Sequence, residues 1–373
     1  MRDSRPRVLC VVPLPPPLHG ASLQSRMIVQ SPYLNEKFRF KVVPMRFVKE
    51  IHEIGTFSLK KVFKMFTVGA RLIWDLICFR PQLVYYSPTH RGYSFYRDWL
   101  YVMIIKLFRR PIVFHQHNKG AYGLESSPLQ RRLRRMMYRR TDSMVLSPLL
   151  IYDIEEYCDP GRIHVVPNGM PDIQSPCPPQ DSPVPTVLFL SNLIAEKGVW
   201  VLMEALASLK RKGVAFNAVY AGQSSYNVTG EDFFAQVQRL DLQDRVTWVG
   251  FVKGDQKRDV LCKCDIMAFP TFMKHETFGN VVLEAMRASK PVVVSGEGSL
   301  PFIVEDGVTG FICRKRDAGD LADKLERLLA DPSLRSRMGQ AARRRFETRF
   351  TFRCFEENFA ALLEKLLGSA VSP

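Results

Sequence analysis

The sequence predicts an α/β protein with two doubly wound domains, each a parallel sheet with helices on both faces. Three observations lead to this prediction. Short apolar runs alternate with segments of helical length along the whole chain, a proline-rich stretch interrupts the alternation near the middle, and the length of 373 residues suits two domains of roughly 100–200 residues each.

The strand candidates of the first half are brief, apolar and rich in β-branched or aromatic residues. Such runs are typical of strands that are buried on both faces of a parallel sheet. Strands are predicted at 7–12, 40–43, 83–86, 112–115, 143–146 and 164–166. Helical segments lie between them at 20–34, 58–79, 92–108, 127–140 and 148–158.

A linker is predicted at 171–185, where six of 15 residues are proline. Proline donates no backbone hydrogen bond and disrupts helices and central strands. The alternative is a long surface loop within one domain. The predicted organisation is an N-terminal domain at 1–170, the linker, a C-terminal domain at 186–350, and a last segment at 351–373 whose helix packs back on the first domain.

The alternation of strands and helices restarts after the linker. Strands are predicted at 186–190, 217–220, 245–249, 266–269 and 291–295. Helices are predicted near 198–211, 231–240, 255–263, 280–288, 319–330, 333–346 and 352–367. Ligands of doubly wound sheets bind beyond the carboxyl ends of the strands, so we expect a site in a cleft between the two domains.

Composition and charge exclude several classes of protein. With 46% hydrophobic and 24% charged residues, the chain is neither disordered, nor collagen-like, nor a small disulfide scaffold. The net charge is +16, and residues 1–169 alone hold 27 Lys and Arg against 12 Asp and Glu. This asymmetry favours an anionic partner for the first half.

The eight cysteines are scattered, and only Cys262 and Cys264 are close in sequence. No second pair completes a zinc site, so we expect free, reduced thiols, no metal and a cytoplasmic protein. The N-terminus does not read as a signal peptide. The longest nearly uncharged apolar run, 99–108, has about half the ~20 residues of a membrane-spanning helix.

The segment 270–286 is the most informative for chemistry. A loop follows a strand and leads into a helix, with Glu276 on the loop and Glu284 in the helix. A helix N-terminus is suited to bind phosphate, and a carboxylate accepts hydrogen bonds from paired sugar hydroxyls. The alternative is a capped amphipathic helix with two exposed acids.

The same segment resembles the E-x7-E signature of retaining GT-B glycosyltransferases of family 4, the group 1 type. Other family motifs occur in the right order and cover nearly the whole chain. They are the "IPNG" stretch at 165–169, the "GRL…KG" loop at 190–198, the "GxG" loop at 220–222 and the "GGxPE…DGxxG" stretch at 298–310. The fold that this resemblance implies has two Rossmann-like domains facing a central cleft.

The resemblance also assigns roles to residues. Glu284 would bind the ribose hydroxyls, Glu276 the donor sugar, and Lys197 the diphosphate; for Lys197 the alternative is an exposed lysine before a helix. The further residues that it assigns to the donor nucleotide are Gly20, Asn192, Gly222, Phe278, Gly279 and Asn280.

His117 would contact the donor sugar near the reacting carbon, and a structural histidine is the alternative. We expect His115 and His117 to point to opposite faces of their strand, so that only His117 reaches a ligand. Two positions depart from the family pattern. Asn192 stands where the family usually has Arg, and Phe302 replaces the acid of "GGxPE".

A basic helix is predicted around 131–140. The candidate membrane-binding residues on it are Arg131, Arg132, Arg134, Arg135, Arg139 and Arg140. A second basic stretch, 60–66, also carries aromatic and Met residues, a combination that suits anionic lipid headgroups. The alternative is an ordinary docked helix with a basic solvated face. No nucleic-acid-binding motif is present, so a nucleic-acid partner is not expected.

The sequence is therefore interpreted as a glycosyltransferase that uses a UDP- or GDP-sugar as donor and needs no cofactor. The acceptor would be a glycan or a lipid-linked glycan precursor, as in polysaccharide or lipopolysaccharide synthesis, at the inner face of the cytoplasmic membrane. Two alternatives remain. One is a sugar-nucleotide epimerase or hydrolase of the same fold, and the other is an inactive protein that binds membranes or RNA.

Overall fold

A computed structural model describes residues 3–16, 20–47, 59–121, 127–173, 177 and 183–369. The chain divides into two compact units. The first comprises Met1–Asn168 together with Arg353–Pro373, and the second comprises Gly169–Phe352. The predicted linker residues 171–173, 177 and 183–185 fall in the second unit, while 174–176 and 178–182 lie outside the described residues.

The first unit contains a six-stranded parallel sheet with the strand order β2-β1-β3-β4-β5-β6. The central strands β1, β3 and β4 are almost entirely buried because helices cover both faces. The strands are β1 Arg7–Val12, β2 Arg39–Pro44, β3 Leu83–Tyr86, β4 Ile112–Gln116, β5 Asp142–Val145 and β6 Ile163–Val165.

Helices cover this sheet on both faces. They are α1 Gly20–Gln30, α2 Pro32–Lys37, α3 Leu59–Cys78, α4 Gly92–Leu107, α5 Pro128–Tyr138 and α13 Phe352–Ser369. Neighbouring side chains of β3 show the two layers. Tyr85 packs edge-on against Phe359 of α13, with 5.2 Å between ring centroids, whereas the Tyr86 hydroxyl donates to Asp98 of α4 at 2.8 Å.

The second unit contains another six-stranded parallel sheet, in the order β12-β11-β10-β7-β8-β9. Its strands are β7 Thr186–Leu190, β8 Asn217–Ala221, β9 Val246–Trp248, β10 Ile266–Phe269, β11 Val292–Ser295 and β12 Gly310–Cys313. Its helices are α6 Val199–Arg211, α7 Gly230–Arg239, α8 Gly254–Lys263, α9 Asn280–Arg287, α10 Leu300–Ile303, α11 Ala318–Ala330 and α12 Pro332–Arg349.

The differences from the predicted elements are local. The predicted helix 20–34 is two helices, because Ser31 caps α2 by accepting from the Leu34 amide and Pro32 cannot continue α1. The predicted helix 148–158 is a short 3-10 turn at Pro148–Asp153. The short elements β12 and α10 were not predicted.

Across the described part of the chain, no helix has both the length and the apolar character needed to cross a membrane.

Candidate functional site

The candidate site lies at the carboxyl edge of the second sheet, where the strand order reverses. From β7 the chain moves through β8 to β9, and it then returns to place β10 on the other side of β7. The loops after β7 and β10 therefore leave the sheet side by side. Such a reversal is where open α/β sheets bind their ligands.

The two loops are joined by hydrogen bonds. The Glu196 carbonyl accepts from the Phe272 amide at 2.8 Å and from the Thr271 hydroxyl at 3.2 Å. Glu196 belongs to the 3-10 turn Ala195–Lys197, which follows β7 and ends at the left-handed Gly198. This arrangement fixes Lys197 beside the loop that carries Glu276.

Lys197 and Glu276 form an ion pair. The side chains are 18% and 10% exposed, so both are held largely out of water. The Lys197 ammonium also lies 5.3 Å from the centroid of the Phe269 ring. Of the predicted residues, the structure thus brings together the two that were assigned to the diphosphate and to the sugar.

Two glycines allow this close approach. At Gly198, with φ of +89°, a Cβ would lie 2.3 Å from the Pro270 carbonyl oxygen. At Gly298, with φ of +55°, a Cβ would lie 2.5 Å from the Glu276 carbonyl oxygen. Neither glycine tolerates a side chain, so the loop after β11 supports the backbone of Glu276 directly. No role for Gly298 was predicted from the sequence.

Glu284 lies on α9, and its carboxylate is 2.6 Å from the Lys257 ammonium of α8. The Glu284 side chain is 15% exposed. Lys257 was not predicted as a site residue, because 27 positions separate the two residues and only the fold brings them together. The predicted ribose-binding carboxylate is therefore paired with a cation of the same unit.

The cysteines correct the expectation of free thiols. Cys177 and Cys262 form a disulfide with 5.0 Å between their Cα atoms, so residue 177 is attached to α8, the helix that carries Lys257. The two cysteines are 85 positions apart, and neither spacing nor composition indicated the pairing. The remaining six cysteines are free, and Cys264 is buried.

Asn192 and Gly222 lie together at the ends of β7 and β8. The Asn192 side-chain oxygen accepts from the Gln223 amide at 3.3 Å. A Cβ at Gly222 would lie 1.9 Å from the Ser191 carbonyl oxygen, so the two loops touch backbone to backbone. Asn192 is exposed and has no positive charge to offer a diphosphate.

The start of α9 differs in part from the prediction. Gly279 precedes the helix with φ of +73°, and Asn280 is its first residue. The Phe278 side chain is 2% exposed and packs against Phe350, with 6.2 Å between ring centroids. Phe278 can therefore contact a ligand only through its backbone.

The first unit holds the other two predicted site residues. Gly20 is the first residue of α1, and residues 17–19 before it lie outside the described part of the chain. His117 follows β4, is 6% exposed, and contacts His115 with ring centroids 3.9 Å apart and an angle of 39° between the rings. The expectation that the two histidines point to opposite faces was wrong, since residues two apart on a strand share a face.

His115 is fully buried, and its Nδ1 lies 2.8 Å from the Tyr85 hydroxyl. Burial, with a smaller effect of His117, holds the pKa of His115 well below its usual range. Burial likewise lowers the pKa of His90. Both imidazoles are therefore neutral in the folded protein at neutral pH.

The free energy of unfolding is expected to fall as the pH is lowered below about 6.5, by up to about 1.4 kcal/mol per pH unit for each such histidine. Below that pH the unfolded chain binds a proton that the folded chain excludes. Urea unfolding of the parent and of His115→Gln at several pH values measures the effect. The variant should show a shallower pH dependence, and parallel curves would contradict the assignment to His115.

The predicted basic surface needs one correction. Arg131, Arg132, Arg135, Arg139 and Arg140 are exposed, but Arg134 is 3% exposed. Its guanidinium donates to the carbonyls of His90 and Gly120 at 2.9 and 3.3 Å. Arg134 is thus part of the interior of the first unit and is not available to a membrane.

Among the residues that the structure describes, no group of three or more His, Cys, Asp or Glu side chains is arranged to hold a metal ion.

Comparison with known proteins finds a family model that matches part of the chain. Residues 175–345 match the family model of glycosyl transferases group 1. The chain is 33% identical over 158 residues to the alpha-D-kanosaminyltransferase of Streptomyces kanamyceticus, which covers 42% of this chain and 40% of that protein. It is 29% identical over 270 residues to the glycogen synthase of Mycobacterium tuberculosis, and this alignment covers 68% of this chain and 64% of that protein. The chain thus spans less than two thirds of the length of either relative.

The fold matches that of a solved structure, Anabaena Alr3699/HepE in complex with UDP. The TM-score is 0.75 at 19% identity, and the match covers 96% of this chain and 100% of that one. The expected GT-B fold, with two parallel α/β sheets, is confirmed by this likeness.

Proposed function

We propose that this chain transfers a sugar from a nucleoside-diphosphate donor to an acceptor hydroxyl with retention of configuration. The premise is that the chain belongs, through residues 175–345, to the group 1 glycosyltransferases. The observation that carries the proposal is the Lys197–Glu276 pair at the strand-order reversal, with Glu284 of α9 in the same unit.

The pair provides a cation for the leaving group. Breaking the bond between the anomeric carbon and the donor phosphate leaves additional negative charge on the diphosphate. A fixed cation in a site with little water stabilises this charge more in the transition state than in the ground state. Glu276 is the ion-pair partner of Lys197 before the donor arrives, and the donor diphosphate then takes over as its partner.

Other residues would hold the donor. Glu284 accepts hydrogen bonds from the paired ribose hydroxyls, and Lys257 keeps this carboxylate oriented. The N-terminus of α9, which begins at Asn280, offers backbone amides to phosphate. In the first unit we assign His117 to the donor sugar and Gly20 to the donor phosphate, on the resemblance to the family. The acceptor oxygen forms its bond to the anomeric carbon as the bond to the donor phosphate breaks, and the hydroxyl proton passes to the departing diphosphate oxygen.

We propose a UDP- or GDP-sugar as donor. Solved structures of the similar Anabaena protein hold UDP and UDP-glucose, and this supports the uridine nucleotide as the first to test. The proposal includes no cofactor and no metal.

We further propose that the acceptor is a lipid-linked or cell-surface glycan precursor and that the enzyme binds the inner face of the cytoplasmic membrane. Residues 1–169 carry a net charge of +15, which suits an anionic lipid surface. Five exposed arginines at 131–140 are part of this charge.

A thermal-shift panel with UDP, GDP, ADP and CMP tests the donor site. A nucleotide at 100 times its Kd stabilises the folded protein by about 2.7 kcal/mol, so we expect one diphosphate to raise Tm by several degrees. The shift should be lost in Glu284→Ala, which removes the ribose acceptor. It should persist in Glu204→Ala, which removes an exposed glutamate of α6.

Two outcomes would contradict the proposal. If no nucleotide raises Tm, the proposed donor site is wrong. A donor that is consumed at the same rate with and without acceptor would indicate a hydrolase or epimerase instead.

A further inference from the structure

The exposed apolar side chains of this protein are concentrated on one layer. Among the described residues, 19 large hydrophobic side chains are exposed, and 11 of them lie on α3, α4 and α5. The helices α3, α4 and α5 connect β2 to β3, β3 to β4 and β4 to β5, so all three crossovers run in the same direction along the first sheet. Because such crossovers are right-handed, the three helices cover the same face of the sheet. The 11 exposed side chains are Phe63, Phe66, Ile73, Trp74, Ile77, Tyr93, Tyr96, Leu100, Leu107, Leu129 and Met136.

The exposed side chains of α3 form a single stripe. Phe63, Phe66, Trp74 and Ile77 are 72%, 64%, 67% and 51% exposed. Their spacing of three, eight and three residues places them on one side of the helix. Over these 15 residues the stripe is about 21 Å long.

The opposite side of α3 is firmly packed. Leu72 and Leu76 are buried, and Asp75 is 3% exposed with Arg71 and Lys41 each 3.7 Å from its carboxylate. The exposed stripe is therefore not the result of a detached helix. The helix therefore carries apolar side chains on its packed side and on its outward side.

The surroundings of the stripe are basic. The sequences of α3, α4 and α5 contain ten Lys and Arg and two acids, Asp75 and Asp98, which are both buried. Lys64 and Arg71 are exposed at the border between the stripe and the packed side of α3 that carries Asp75. The face thus presents cations and apolar side chains and no exposed carboxylate among the described residues of these helices.

We propose that the outer side of α3 (Phe63, Phe66, Ile73, Trp74 and Ile77) inserts into the headgroup region of an anionic lipid bilayer. Aromatic side chains are suited to this depth, and the flanking cations then meet lipid phosphates. A second copy of this chain is a poorer occupant, because a two-fold contact would place cations opposite cations. Nucleic acid would match the charge but not the apolar stripe.

This inference rests on the proposed membrane location and adds the surface that mediates it. The sequence predicted two segments for anionic lipid, the arginines of 131–140 and the basic aromatic stretch 60–66, which is part of α3. The structure assigns insertion to α3 and leaves the exposed arginines of α5 as an electrostatic contribution.

The first experiment measures sedimentation of the full chain with vesicles of phosphatidylcholine alone and with 30% phosphatidylglycerol. The parent should bind the anionic vesicles. Phe63→Ser with Phe66→Ser should weaken binding at least tenfold, because two side chains lose their apolar contact with lipid. Lys64→Glu should weaken it by about fivefold or more. The control is Tyr226→Ser, which removes an aromatic side chain that is 90% exposed in the second unit and should not change binding.

The second experiment locates Trp74 by fluorescence. Trp74 is the exposed tryptophan of this chain, whereas Trp99, Trp200 and Trp248 are partly buried. Vesicles with brominated acyl chains should quench part of the emission of the parent, and Trp74→Phe should lose this quenching while it still binds. Thermal unfolding of each variant checks that it is folded.

Several results would overturn the inference. If the serine variants still bind vesicles and the double variant Arg131→Glu with Arg132→Glu does not, the membrane-binding surface lies on α5. If the parent does not bind vesicles but sediments as a dimer, and the serine substitutions dissociate that dimer, the stripe contacts a second copy of the chain. Failure of the proposed transferase function is a separate result, since it appears as the absence of a nucleotide shift in a protein that still binds vesicles.

Discussion

The Lys197→Ala variant is expected to transfer sugar with a kcat about 10²–10³-fold below that of the parent. Lys197 is the cation at the strand-order reversal, held beside Glu276 by the short turn after β7. Without it the departing diphosphate loses a fixed positive charge in a site that is largely shielded from water. Steady-state release of nucleoside diphosphate with an acceptor measures the loss.

The matched control is Lys212→Ala. Lys212 is also in the second unit and is also ion-paired, with Glu326 at 2.6 Å, but its side chain is 43% exposed, and it follows α6 at the opposite end from Lys197. It should retain full activity. A kcat for Lys197→Ala within about threefold of the parent would remove Lys197 from the catalytic groups.

Combining Lys197→Ala with Glu276→Gln gives a sharper result. Since the two side chains form one pair, the double variant should lose less than the product of the two single losses. Independent, multiplicative effects would mean that the two residues act at separate points of the reaction.

The strands were predictable from the sequence because they are buried on both faces. The run Leu83–Tyr86 is apolar at every position, and its predicted bounds agree with the structure. The strand β12, Gly310–Cys313, has the same length but was missed, because it begins with a glycine, directly follows a turn and lies at the edge of its sheet. Glycine is depleted in strands and weakens the strand pattern.

Contacts between distant residues were not predictable. The sequence places Arg134 among five other arginines, which is the pattern of a solvated face. Its burial depends on carbonyls that α4 and β4 bring close, those of His90 and Gly120. The same holds for Lys257 at Glu284, which belong to different helices.

The outward side of α3 shows the same limit. Periodicity predicts an amphipathic helix, but it does not say which apolar positions another element covers. Leu72 and Leu76 are buried, whereas Phe63 and Trp74, equally apolar in sequence, are exposed. The partner of a helix face is set by the fold and not by the helix.

The Asp98→Ala variant is expected to lose about 3–5 kcal/mol of unfolding free energy. Asp98 is fully buried and accepts hydrogen bonds at 2.8 Å from the Tyr86 hydroxyl, the Thr89 amide and the Arg97 Nε. The Arg97 side chain is only 12% exposed, so its charge would be left without a counter-ion in a poorly solvated place. The variant also leaves a buried hydroxyl and an amide without their acceptor.

Urea unfolding followed by circular dichroism measures the loss, with Asp323→Ala as the matched control, because that aspartate is 71% exposed and also pairs with a basic residue. Asp98→Asn should lose less than the alanine variant, since it keeps an acceptor for Tyr86 while it removes the charge. The substitution lies in the first unit, so the proposed nucleotide binding by residues of the second unit should survive at temperatures where the variant is folded. A loss below about 1 kcal/mol would show that the buried network around Asp98 does not hold α4 to β3.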